Sequence, residues 1–106
     1  MSENLSTPPR VSILAEAAEI IVGDRQRDYG APEENFERIA GLWSIQISKK
    51  LKEPLTPTEA ALMLVQLKMA RMVTTPNEDS FKDAAGYIGI GYEMSVIEAE
   101  GTKSIG

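Results

Sequence analysis

Two cations, Lys68 and Arg71, are the only charges in the run from Thr56 to Val73 after its first turn, where Glu59 stands in the capping position. At helical spacing they fall on one narrow face, roughly 60° apart. A segment that is apolar on nearly every side packs inside a bundle, so its cations sit in a partly dry place and need partners. Asp79 and Asp83, one helical turn apart in the next segment, are one set of partners; the phosphate of a ligand is another. Paired carboxylates at that spacing can share a metal ion or close an internal salt-bridge network. A second acidic pair, Glu16 and Glu19, lies three residues apart on an otherwise apolar stretch. It is either a solvated face or, beside Asp79 and Asp83, half of a divalent-cation site held between helices.

The connector Asp24–Gly30 packs two arginines, two aspartates and a tyrosine into seven residues. Arg25 and Arg27 can fork onto phosphate oxygens, Tyr29 can stack on a base, and Gly30 lets a backbone approach closely. The plain alternative is a charged turn whose charges cancel. Trp43 falls on an apolar helical stripe and is read as packing.

Composition narrows the chemistry. The 106 residues include no histidine and no cysteine, which removes thiol nucleophiles, imidazole bases, disulfides and thiolate–imidazole zinc sites. Carboxylates, hydroxyls, lysines and arginines remain, and carboxylates favour hard cations such as Mg²⁺. A net charge of −5, with no basic run beyond two residues, argues against duplex nucleic acid and against an acidic membrane surface. Without a long apolar run or a leader pattern, the expected location is the cytoplasm, the bacterial host cytosol for a phage-encoded chain.

The elements that position these residues read as one helical domain over 1–106, ordered from about 8 to 98, with flexible tails at 1–7 and 99–106. The first helix is expected from Pro8 or Pro9 to Val22, with Gly23 as a left-handed stop. Pro32 opens a second helix reaching about Leu51, on the stripe Phe36, Ile39, Ala40, Trp43, Ile47 and Leu51. Thr56–Pro57–Thr58–Glu59 is a capping box for the third. Thr75–Pro76–Asn77–Glu78 repeats it for the fourth, unless Asn77 is the cap. The fourth helix runs to about Glu98. Its Gly86, Gly89 and Gly91 call for close approach by another helix or for a partial break.

The fold class is therefore all-α, a four-helix bundle-like domain. Phe81, Ala84, Ile88 and Tyr92 make one apolar face of the last helix; Ile90, Met94 and Ile97 make another. Two such faces exceed what one chain of this size hides, which predicts a homodimer or higher oligomer.

Gly23–Asp24–Arg25–Gln26, Tyr29–Gly30, Asn35–Phe36 and Trp43, with Lys68–x–x–Arg71 and Asp79–x–x–x–Asp83–x–x–Gly86–Tyr87, resemble a family of small helical proteins of unassigned activity common in phages and prophages. The resemblance covers about residues 11 to 93 and implies a phage or prophage origin. More distantly the chain is similar to the all-α nucleoside triphosphate pyrophosphohydrolases of the MazG type. Those bind Mg²⁺ with Glu-Glu-x-x-Glu on one helix and Glu-x-x-Asp on a later one. Glu16 and Glu19 match the last two acids of the first motif, with Ala15 in place of the leading acid. Asp83 matches the end of the second, with Ser80 at the glutamate position and Asp79 nearby.

That resemblance implies Mg²⁺ on Glu16, Glu19, Asp79 and Asp83, and joins the residue reading in which Arg25, Arg27, Tyr29, Lys68 and Arg71 contact a nucleotide ligand. Three functions stay open: Mg²⁺-dependent pyrophosphohydrolysis, binding of a nucleotide or cyclic nucleotide without turnover, and a structural interaction bundle.

Overall fold

The computed structural model describes residues 7–23 and 30–105, and the described residues form four α-helices and no strand. These are α1 Pro9–Val22, α2 Pro32–Gln46, α3 Pro57–Arg71 and α4 Glu78–Ile105, with a short 3₁₀ turn at Ser48–Lys50. The all-helical expectation holds. Proline opens α1, α2 and α3 within their first two positions, where the missing N–H costs nothing.

At α3 the capping box is complete. The Thr56 side chain accepts from the Glu59 N–H at 3.1 Å, and the Glu59 carboxylate accepts from the Thr56 N–H at 2.9 Å. Thr56→Ala leaves one of those N–H groups without a partner. It should cost about 1 kcal/mol in chemical denaturation, at unchanged helix content. The fourth helix does not repeat the box. Asn77 is its cap, accepting from the Ser80 N–H at 2.8 Å, and the helix starts at Glu78.

Three boundaries differ from the sequence reading. The second helix stops at Gln46 rather than near Leu51. The Ser44 hydroxyl donates to the Ala40 carbonyl at 2.7 Å and accepts from the Leu55 N–H at 2.8 Å, which turns the chain back toward α3. Gly23 is not left-handed; at φ −93° its N–H simply closes onto the Glu19 carbonyl. Gly30, at φ 82°, is the residue that uses glycine's freedom. Finally, α4 continues to Ile105 instead of ending near Glu98.

This 28-residue helix is the spine, about 42 Å long at 1.5 Å per residue. The third helix lies antiparallel along it, Thr58 meeting Glu98 at one end and Lys68 meeting Asp83 at the other. The first runs in the same direction as α4 over its first half, Glu16 reaching Lys82 and Ile21 lying against Gly86 and Gly89. The second packs on α3 and brings Phe36 edge-on to Tyr87, ring centroids 6.1 Å apart. The glycines of α4 thus mark close approach without a break. A Cβ on Gly86 would stand 3.1 Å from the Ile21 side chain, and one on Gly91 would stand 3.5 Å from Ala61.

The core is small. Phe36, Ile90 and Met94 are its largest fully buried side chains, and Ala40, Ala60, Ala61 and Ala84 fill much of the rest. Trp43 packs against this cluster, as expected of a stripe residue. Of the two faces on α4, Ile90 and Met94 are buried, whereas Phe81, Ile88 and Tyr92 stay open; Ala84 belongs with the buried set. The third helix is covered on one side only. Leu62, Met63, Leu67 and Met69 on its other side are exposed; among the described elements α2 and α4 make its main contacts.

Candidate functional site

The charged residues that meet do so where α1, the end of α3 and the start of α4 come together. Lys68 Nζ lies 3.0 Å from an Asp83 carboxylate oxygen, with side chains 16% and 29% accessible. This is the partly dry cation that the apolar third segment requires, and its partner is one of the two expected aspartates. Arg71 departs from that expectation. It occupies the last turn of α3, and it is exposed. Among the described residues it forms no ion pair or side-chain hydrogen bond.

A second cluster stands beside the first. Lys82 Nζ is 2.9 Å from Glu16 and 3.6 Å from Glu78, so it ties α1 to the first turn of α4. The Glu16 hydrogen bond raises the Lys82 pKa above its ordinary 10.5; the Glu16, Glu78 and Asp79 charges add to the rise, and desolvation opposes it. A raised lysine pKa contributes stability that is fully present below the unfolded value and lost as pH rises through the folded one. Thermal stability of the wild type should therefore fall more steeply above about pH 10.5 than that of Lys82→Gln, with the two curves parallel at neutral pH.

Lys82 carried no role in the sequence reading. A usable signal was there: it lies four residues from Glu78 and four from Gly86, on the side of α4 that admits α1. Glu98 was missed as well. Its carboxylate accepts from the Thr58 N–H at 3.1 Å and the Thr58 hydroxyl at 2.9 Å, holding the start of α3 across 40 residues of sequence.

The remaining site residues divide. Glu16 and Asp83 are partly buried and lysine-bound, while Glu19 and Asp79 are exposed. The first turn of α4 suits Asp79 electrostatically without any ligand. Arg25, Arg27 and Tyr29 lie outside the described residues. Among the described residues no group of three or more acids is placed to hold a metal ion. A Mg²⁺ site on Glu16, Glu19, Asp79 and Asp83 therefore does not fit this arrangement of one chain: ammonium groups take up two of the carboxylates, and the other two face solvent.

Besides the charged clusters, an open groove of about 550 Å³ runs between the starts of α1 and α4, lined by Pro9, Ile13, Leu14, Phe81 and Ala85, with Arg10, Glu16 and Glu78 at its rim. No described helix is long and apolar enough to cross a membrane.

Comparison with known proteins places the chain. It is 42% identical over 91 residues to the Gene 55 protein of Mycobacterium phage L5, covering 85% of this chain and 56% of that protein. It is 40% identical over 79 residues to the Gene 55 protein of Mycobacterium phage D29, covering 74% of this chain and 50% of the relative. The chain thus spans about half the length of the curated relatives it matches. No solved structure matches it. The model of the family described as "Domain of unknown function (DUF6378)" matches residues 12–95, in keeping with the phage family that the sequence resembles. The chain belongs to the DUF6378 family.

Proposed function

We propose that this chain is a nucleotide-binding member of its phage family, acting in the cytoplasm of a bacterial host as a homodimer or higher oligomer. The supporting observation is the cation pair of α3. Lys68 is held half-buried by a single carboxylate, and exposed Arg71 follows one helical turn later with no acid upon it among the described residues. A phosphate arriving at this end of α3 meets a guanidinium free to fork and an ammonium already partly desolvated. Arg25, Arg27 and Tyr29 of the connector complete the reading, two as further phosphate contacts and one against the base.

Hydrolysis is the second reading, resting on the MazG-type resemblance of Glu16, Glu19 and Asp83. It requires Lys68 and Lys82 to release their acids to Mg²⁺, so binding without turnover agrees better with the ion pairs observed.

A thermal-shift panel of ribo- and deoxynucleoside triphosphates, monophosphates and cyclic nucleotides, each with Mg²⁺ and with EDTA, tests both. A ligand at 100 times its Kd stabilises by about 2.7 kcal/mol. Stabilisation that survives EDTA supports binding. Pyrophosphate release only with Mg²⁺ supports hydrolysis. No shift and no release with any nucleotide would leave the structural-bundle description.

A further inference from the structure

The geometry points to a specific two-fold interface: the open stripe of α4 pairs antiparallel with the same stripe of a second copy, centred between Ile88 and Gly89. This deepens the self-association part of the proposed function and is independent of its nucleotide part. On a helical wheel Phe81, Ala85, Ile88, Tyr92 and Val96 fall within roughly 80° of one another, and Phe81, Ile88 and Tyr92 are 51%, 55% and 73% exposed. Laid antiparallel about that centre, Phe81 faces Val96, Ala85 faces Tyr92 and Ile88 faces Gly89. Large side chains meet small or medium ones at every level, so the stripe is complementary to itself.

Three further observations agree with a second copy as the occupant. Gly89 is exposed, and a Cβ there would meet only the tip of Ile21, so its backbone is open to close approach. Ala85 lines the 550 Å³ apolar groove, a seat for the Tyr92 ring of a second copy. The stripe carries no charge, although the chain as a whole is acidic at −5 and like-charged copies repel.

The area is also sufficient. At roughly 150–250 Å² for a large aromatic side chain and somewhat less for leucine or isoleucine, the open fractions of Phe81, Ile88 and Tyr92, with Leu14 and Leu62 beside them, offer on the order of 500 Å² of apolar surface per copy. A standard interface takes about 800 Å² per partner, a little over half of it apolar.

The absence of cysteine makes the test clean. Full-length Ile88→Cys should form a disulfide-linked dimer on mild oxidation, and mixing Ala85→Cys with Tyr92→Cys chains should give the crossed dimer, since facing Cα atoms must lie within about 7 Å. Ile45→Cys, at an exposed position of α2, should remain uncrosslinked. In light scattering the wild type should show the mass of at least two chains. Tyr92→Glu, at an exposed site that leaves helix content unchanged, should weaken the association at least tenfold. A wild type with the mass of one chain overturns the interface. So does an oligomer that crosslinks through Ile45→Cys but not Ile88→Cys, although that result keeps self-association. Nucleotide binding by a one-chain species would overturn this interface alone, and a crosslinked dimer without nucleotide affinity would overturn only the nucleotide reading.

Discussion

Phe36→Ala should remove about 3–5 kcal/mol of folding stability, most of what a domain of this size has. The ring is 1% exposed and lies edge-on to Tyr87, itself 8% exposed, at 6.1 Å. Among the described residues it is, with Ile90 and Met94, one of the largest fully buried side chains, and it shares its buried cluster with Ala40, Ala60 and Ala84, which are too small to collapse into the space. The loss therefore combines the transfer term of the ring with an unrelieved cavity. A truncation at exposed Leu42 on the same helix should cost less than about 1 kcal/mol. Urea denaturation of both variants at fixed protein concentration checks the pair. Near-equal midpoints would mean that α2 contributes little to the core.

Breaking the Lys68–Asp83 pair should have the second largest effect and a more informative one. The two side chains are neither free in water nor sealed, at 16% and 29% accessible, so the cost lies between the surface and buried limits. Lys68→Ala or Asp83→Ala should each destabilise by about 1–2 kcal/mol, and the double variant by less than the sum of the two. Lys68→Ala should also weaken nucleotide affinity by at least tenfold, whereas Asp83→Ala, which releases the ammonium, should strengthen or preserve it. A purely structural pair predicts the same stability losses with no ligand affinity to change. Measuring stability and affinity on the same three variants separates these cases.

Much of the fold was legible from local signals because the forces that start helices act over three or four residues. Thr56–Pro57–Thr58–Glu59 closes its own capping box, and prolines at 9 and 32 begin their helices whatever packs on them. Helix ends were harder. Gln46 ends α2 because Ser44 binds the Leu55 N–H eleven residues on, and periodicity carries no trace of such a contact. The extension of α4 past Glu98 was hidden in a polar sequence without apolar rhythm.

The site divides the same way. Lys68 with Asp83 was readable, since an isolated cation on an apolar helix must find an acid and the next segment supplies two. Which acid Lys68 takes depends on how α3 lies along α4, and the claim of Lys82 on Glu16 on how α1 does, which the glycine positions hinted at only in outline. The expectation that Arg71 shares the same dry cavity failed because α3 ends with it. A residue of the final turn has solvent beyond it even when the residue one turn earlier does not.

The most direct test of nucleotide binding is isothermal titration of the full-length protein, in EDTA, with the nucleotide that gives the largest thermal shift, alongside Arg71→Ala and Lys68→Ala. Saturable heat in the wild type, reduced at least tenfold in affinity by either substitution while both variants remain folded, is the predicted result. Equal affinities in all three proteins, or no heat from any nucleotide, would contradict a phosphate site at the end of α3.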